Sequence, residues 1–364
     1  MLNTDVIIVG AGLAGLYASL RLTQRNIPHI VLEAKNEAGG RIKALKADEE
    51  SSESYDLGPT WVFPHQQKLQ QLTQELNLEL FNQYIQGDAL FQRAGSHAPE
   101  RFSGAGAMEL FRIKNGTYSM IEALVQRLPD GQLKLNHAVH SIEREEGSWS
   151  LKVNNDGEQK DFKTKHLLLA LPPRMVVQHL TPQNWASKTL LKQLNASQTW
   201  MSAQAKFIAT YDKPFWREQG LSGQTFSQIG PMIEMHDASI TETNNHALFG
   251  FIGLPVHQRN RYSLTQLKDS CLEQLAYFYG DVVHQYQQCE VMDWAKDPWV
   301  ASERDINEPS KHPTFHTASF EQELNSLNLY LAGSEFATSD PGYLEGAVDA
   351  VDLSLQRLFP FIGQ

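Results

Sequence analysis

The chain predicts an α/β fold in which a Rossmann-type dinucleotide-binding domain is joined to a second domain. Three observations carry this. The N-terminus reads strand, glycine-rich turn, helix, strand and acid in the register of a βαβ nucleotide site. At 364 residues the chain is long enough for two domains and a large buried core. With 41% hydrophobic and 20% charged residues it belongs among folded rather than disordered proteins.

Residues 5–9 form a short apolar, β-branched run that meets Gly10-Ala11-Gly12-Leu13-Ala14-Gly15 where a buried strand would end. Residues 13–25 then read as a helix. Gly10 makes the tight turn, Gly12 lets backbone approach a pyrophosphate, and Gly15 permits close helix–strand packing. The pyrophosphate belongs at the helix N-terminus, with Leu13 and Ala14, where free N–H groups and the dipole favour anions. A second strand, residues 30–32, follows Pro28 and ends at Glu33-Ala34, at the distance where an acid meets ribose hydroxyls. This spacing does not separate NAD from FAD.

The residues beyond it do. Gly39-Gly40-Arg41 resembles the second nucleotide-contacting motif of the flavin-containing amine oxidases, in which the arginine lies near the FAD phosphates. The resemblance runs through most of the chain. Asp56-Leu57-Gly58-Pro59-Thr60-Trp61 is similar to the family's D-L-G-G-T-W segment beside the flavin, with Pro59 in place of a glycine and so a stiffer backbone. Leu135-Asn136-His137-Ala138-Val139 resembles the strand whose valine backbone meets adenine, and residues 168–174 the strand closing the FAD domain. Lys206 precedes Pro214-Phe215-Trp216 by eight residues, as a lysine does in monoamine oxidases. On its residues alone Lys206 reads as an ordinary exposed lysine on an edge strand. The resemblance implies instead that it holds a water near flavin N5, where a cation would stabilise charge developing as oxygen is reduced.

Tyr330-Leu331-Ala332-Gly333-Ser334-Glu335 and Gly342-Tyr343-Leu344-Glu345-Gly346-Ala347 resemble the family's A-G-T-E and G-Y-M-E-G-A motifs. The match implies that Gly333 and Glu335 lie near the ribityl-phosphate region, that Leu344 offers its N–H to the flavin pyrimidine edge, and that Tyr343 faces the substrate. Ala347 belongs to the helix read from Gly342 onward, whose N-terminus would stabilise anionic reduced flavin.

The family's motifs fall at the beginning, middle and end of the chain, while the sequence between them has a different texture. The fold class is therefore a Rossmann-type FAD-binding domain with a discontinuous α+β substrate domain, a mixed sheet flanked by helices. Residues 1–80, 116–196 and 300–364 are assigned to the first and 81–115 and 197–299 to the second. Residues 95–106 and 305–317 read as loops.

A formal net charge of −11 disfavours nucleic acid or an anionic membrane as partner. No apolar run approaches the length of a bilayer span, and no C-terminal membrane anchor of the monoamine oxidase kind is recognisable. Cys271 and Cys289 form no disulfide framework, and with no leader-like N-terminus the expected compartment is the cytoplasm. The 13 histidines are scattered, and Pro313 interrupts His312-x-x-x-His316, so no metal site is expected.

Amine oxidation by a flavin needs a neutral amine, its α C–H held in place, and a dry pocket. The family orients the amine between two aromatic rings, and Tyr343 supplies one. The other departs from the family pattern. Where monoamine oxidases carry G-G-C and a tyrosine beyond a tryptophan resembling Trp294, this chain reads on to Arg304 without glycine, cysteine or tyrosine, with Trp299 the nearest aromatic. FAD is therefore expected to be noncovalent and the aromatic cage to be built differently. Arg304 leaves two readings open: a guanidinium for a substrate carboxylate, or a surface pair with Glu303 or Asp305. The sequence thus predicts an FAD-dependent amine oxidase that passes electrons to oxygen, with Lys206 and Tyr343 as its reactive-site residues. Alternatives are amino-acid oxidation, desaturation or protoporphyrinogen oxidation on the same scaffold, or a flavoprotein that acts only with a protein partner.

Overall fold

The computed structural model describes residues 2–48, 51–103, 109–240 and 245–362. Its first sheet grows from the N-terminal strand Leu2–Val9, which is flanked in parallel by His29–Leu32 and by the long strand Glu158–Leu169. That long strand does two jobs. Its first half closes an antiparallel meander with Ser148–Asn155 and His137–Glu145, while its last three residues pair in parallel with Leu329–Leu331. Leu133–Lys134 completes the other edge. Val6, Ile7, Ile8, Leu167, Leu168 and Leu169 have no exposed surface, which fits strands covered on both faces. One face packs on the helices Leu13–Gln24 and Leu344–Leu358; the other packs on Trp149, Leu180, Leu190 and Leu324.

The second sheet is mixed and, among the described residues, has seven strands like the first. Its order is Cys289–Asp293, Ala205–Tyr211, His246–Ile252, Met232–Asp237, Leu221–Ser227, Asp88–Gln92 and Glu100–Phe102. The helix Leu264–Tyr279, started by a Ser263–Gln266 capping box, covers one face through Leu267, Cys271, Leu272 and Leu275. On the other face Tyr55 and Leu57 pack against Ile208 and Phe249, so the turn after the first glycine motifs is pinned to the second sheet.

Three expectations are corrected here. Of the loop expected over residues 305–317, residues 305–307 belong to the short helix Glu303–Asn307, started by a Ser302–Asp305 capping box. The loop expected over residues 95–106 contains the exposed edge strand Glu100–Phe102, which adds to Asp88–Gln92; its last residues, 104–106, lie outside the described residues. The strand carrying Lys206 is not an edge strand. Ala205–Tyr211 sits between Cys289–Asp293 and His246–Ile252 with all seven residues buried, because its side chains meet helices on one face and the 55–60 segment on the other.

Candidate active site

The two sheets face a common cavity of ≈ 530 Å³. The residues expected to hold a cofactor gather on its walls: Gly10, Gly12, Leu13, Ala14, Glu33, Ala34, Gly40, Arg41, Gly58, Pro59, Thr60, Trp61, Val139, Trp294, Gly333, Gly342, Tyr343, Leu344 and Ala347. Two do not line it. Gly15 lies behind the wall, where a Cβ would stand 1.9 Å from the Gly10 carbonyl oxygen, so its place is helix–strand packing. Glu335 is fully buried beneath Arg41.

The wall suits a dinucleotide with an anionic centre. Gly12 starts the helix Leu13–Gln24 with no side-chain cap and no acid in the first turn, leaving its N–H groups for a ligand. A Cβ on Gly12 would meet no protein atom closer than 3.7 Å, so the space it would take belongs to the cavity. Glu33 is held by N–H donation from Ala11 (2.7 Å) and Lys35 (3.0 Å), one to each oxygen, which leaves lone pairs for ribose hydroxyls. Burial pushes its carboxyl up, and the two N–H groups oppose the shift. The helix Leu344–Leu358 likewise begins at the wall without a side-chain cap. Its first-turn acid, Glu345, is turned away to accept from the N–H groups of Lys68 and Leu69. Two uncapped helix starts therefore open on one cavity.

Arg41 does not stand free. Its guanidinium donates to both oxygens of Glu335 (2.6 and 3.0 Å), to Ser334 Oγ (2.9 Å) and to the Trp200 carbonyl (3.1 Å). The Trp200 N–H donates to Glu335 in turn. The bidentate pair ties the glycine motif to the turn after Leu329–Leu331, and the Trp200 contacts carry the link on to the chain entering the second sheet.

Lys206 is 3% exposed. Its Nζ donates to the Gly58 carbonyl (3.1 Å) and to Thr60 Oγ1 (2.5 Å) and lies 4.2 Å from the centre of the Phe249 ring. Burial lowers its ammonium to about 7; Asp56 opposes the shift and Arg112 adds to it. Asp56 accepts from the Thr117 N–H and hydroxyl through Oδ1, but its buried Oδ2 has no hydrogen-bond partner among the described residues. Burial pushes that carboxyl up, with Lys206 and Arg112 pulling it back. Asp56 thus favours the charged form of Lys206, an effect the motif match does not supply.

Tyr343 is half-buried at the wall, with its phenol raised by burial and then by Asp340. Phe63 meets it edge-on at 6.1 Å, and Trp200 and His312 lie 6.0 Å away, themselves stacked at 3.8 Å. Trp299 packs instead on His179 at 4.7 Å. The ring arrangement is therefore built from Trp200 and His312 rather than from the segment after Trp294. Trp294 donates from its indole to the Leu57 carbonyl and backs the 56–60 turn. Arg304 is exposed and pairs with Glu308 in an i,i+4 contact, not with Glu303 or Asp305, and it does not line the cavity. Trp200, Phe251 and Glu234 are absent from the sequence reading, and His312 was weighed there only as a metal ligand; the position of Trp200 just ahead of the lysine strand was the one available signal.

The profile of the family described as flavin containing amine oxidoreductase matches residues 13–107 and 86–350. A probable flavin-containing monoamine oxidase A of Dictyostelium discoideum is 21% identical over 347 residues, 68% of this chain and 74% of that one. An L-amino acid dehydrogenase of a Synechocystis strain is 22% identical over 442 aligned positions, 95% of this chain and 93% of that one. A cofactor-binding variant of putrescine oxidase superposes with a TM-score of 0.81 at 18% identity, covering 99% of each chain.

Proposed function

The chain belongs to the flavin-containing amine oxidoreductases, and from that premise we propose that it oxidises a small amine to an imine in the cavity beside Lys206 and Tyr343, with oxygen as electron acceptor. FAD, when bound, supplies the two-electron oxidation of the amine's α-carbon; every other task falls to the protein. The walls given by Gly12, Leu13, Ala14, Glu33, Val139 and Leu344 would hold it, and Arg41 with Glu335 would brace the glycine turn beneath it. The single observation that carries the reading is a buried lysine closing a glycine-lined nucleotide cleft. Ordinary lysines are not buried in this way.

The aromatic wall of Tyr343, Trp200, Phe63 and Phe251 orients the substrate and keeps water out, which favours the neutral amine that the oxidation requires. Lys206, poised at about 7, holds a proton at Nζ where negative charge develops as oxygen is reduced. Neither cysteine lines the cavity, which supports noncovalent FAD. Among the described residues no helix is long and apolar enough to cross a membrane. We place the protein in the cytoplasm, and keep the division into residues 1–80, 116–196 and 300–364 for FAD and 81–115 and 197–299 for substrate as part of the same reading.

The test is an anaerobic titration of the visible spectrum with aromatic amines, polyamines and L-amino acids, followed by air. Bleaching by an amine and recovery in air are expected. A spectrum that no amine bleaches would remove the reading.

A further inference from the structure

The second sheet places one carboxylate on the substrate wall. In the strand Met232–Asp237, Met232 pairs with Ile252 and Glu234 with Phe251, so Ile233 is an extra residue without a partner. This bulge breaks the alternation of faces, and both Ile233 and Glu234 line the cavity where a regular strand would offer only one of them. The register then sets Glu234 in a row with the proposed reaction centre: Glu234 pairs with Phe251, and Phe251 pairs with Lys206. Two strand spacings put the backbones of Glu234 and Lys206 about 10 Å apart, with the Phe251 ring between them.

Glu234 differs from the other acid on the wall. Glu33 receives an N–H on each oxygen, at the nucleotide end. Glu234 meets only His236 Nε2, through Oε1 at 2.7 Å, and its Oε2 has no protein partner among the described residues. His236 is itself clamped, stacked on Phe249 and edge-on to Trp61, so it steers the carboxylate rather than competing for the cavity. The cations of the wall are engaged elsewhere: Lys35 with Asp297, Arg41 with Glu335, and Lys206 with Gly58 and Thr60. The substrate end is therefore an apolar channel with one half-used anion along its side.

Resting on the amine-oxidase reading above, we propose that Glu234 binds a second cationic group of the substrate, so that the preferred substrates are diamines or polyamines with a short aliphatic spacer. One amine, neutral, lies by Tyr343 and Lys206; the spacer runs over Phe251 and Ile233; the distal ammonium donates to Glu234 Oε2. A carboxylate-bearing substrate would meet repulsion at the same place. A charge-assisted hydrogen bond of about 1.5–3 kcal/mol corresponds to roughly 10- to 100-fold in kcat/KM.

The experiment compares 1,4-diaminobutane with butylamine on the FAD-loaded protein and on Glu234→Gln, by turnover and by the amine concentration that half-saturates anaerobic bleaching. The expected result is a preference of the unaltered protein for the diamine of about tenfold or more, reduced about tenfold or more in Glu234→Gln and carried mainly by half-saturation. If both amines bleach the flavin but the unaltered protein discriminates by less than about twofold, the Glu234 assignment falls while the amine-oxidase reading stands. The same follows if Glu234→Gln keeps the full preference. If neither amine bleaches the flavin, the amine-oxidase reading fails and takes this one with it. Should Glu234→Gln not retain FAD, the discrimination shown by the unaltered protein decides alone.

Discussion

Lys206 and Asp56 are both buried, and each favours the other's charged form against the burial that opposes it. Burial lowers Lys206 from 10.5 to about 7, so between those values the unfolded chain binds a proton that the folded chain does not. Stability from this group therefore rises as pH climbs from about 7 towards 10, and it is at its least below 7. Lys206→Met is expected to flatten that slope in chemical denaturation across pH 6.5 to 9.5, a range chosen to span the shift from about 7. The same variant should keep FAD yet reoxidise in air about tenfold or more slowly. In the unaltered protein reoxidation should slow as pH rises through about 7, and in Lys206→Met that dependence should vanish. Unchanged reoxidation would remove Lys206 from the oxygen step. Arg41 and Glu335 make a second residue-scale test. Glu335→Ala leaves the partly exposed Arg41 guanidinium with Ser334 and the Trp200 carbonyl as acceptors and should lose about 1–3 kcal/mol in urea unfolding, together with bound FAD.

At the scale of elements, the start of the helix Leu13–Gln24 separates two roles of glycine that share one motif. A side chain on Gly12 would enter the cavity, whereas one on Gly15 would strike the Gly10 carbonyl at 1.9 Å. Gly12→Val should therefore give a folded, colourless protein with the melting temperature of the FAD-free form. Gly15→Val should fail to reach that state at all. Equal folding of both FAD-free variants by circular dichroism would contradict the assignment. The strands show where local reading succeeds and where it stops. The strands Leu2–Val9 and His29–Leu32 and the helix Leu13–Gln24 announce themselves through apolar runs and glycine punctuation. The bulge at Ile233, the central placement of Ala205–Tyr211 and the edge strand Glu100–Phe102 do not, because each depends on which distant strand supplies the hydrogen bonds.

At the scale of the whole molecule, the cavity exists because two sheets, each drawing on separated stretches of chain, face each other across the 56–60 turn and the Arg41–Glu335 pair. A ligand bound there ties both sheets together. Removing FAD should lower the melting temperature by several degrees and restoring it at 100 times its Kd should recover about 2.7 kcal/mol. A melting temperature indifferent to FAD would place the cofactor elsewhere. Legible in the sequence alone were the strand–glycine turn–helix start, the acid Glu33 at its end, and the family to which the motifs of Lys206, Arg41, Glu335 and Tyr343 point, since these depend on short spacings. Only folding buries Lys206 against Gly58 and Thr60, brings Asp56 near enough to favour its charged form, stands Trp200 and His312 rather than Trp299 by Tyr343, and carries Glu234 to the cavity wall. The reason is physical: burial, ring packing and cross-strand register are properties of surfaces brought together from far along the chain, and no local pattern encodes which surfaces will meet.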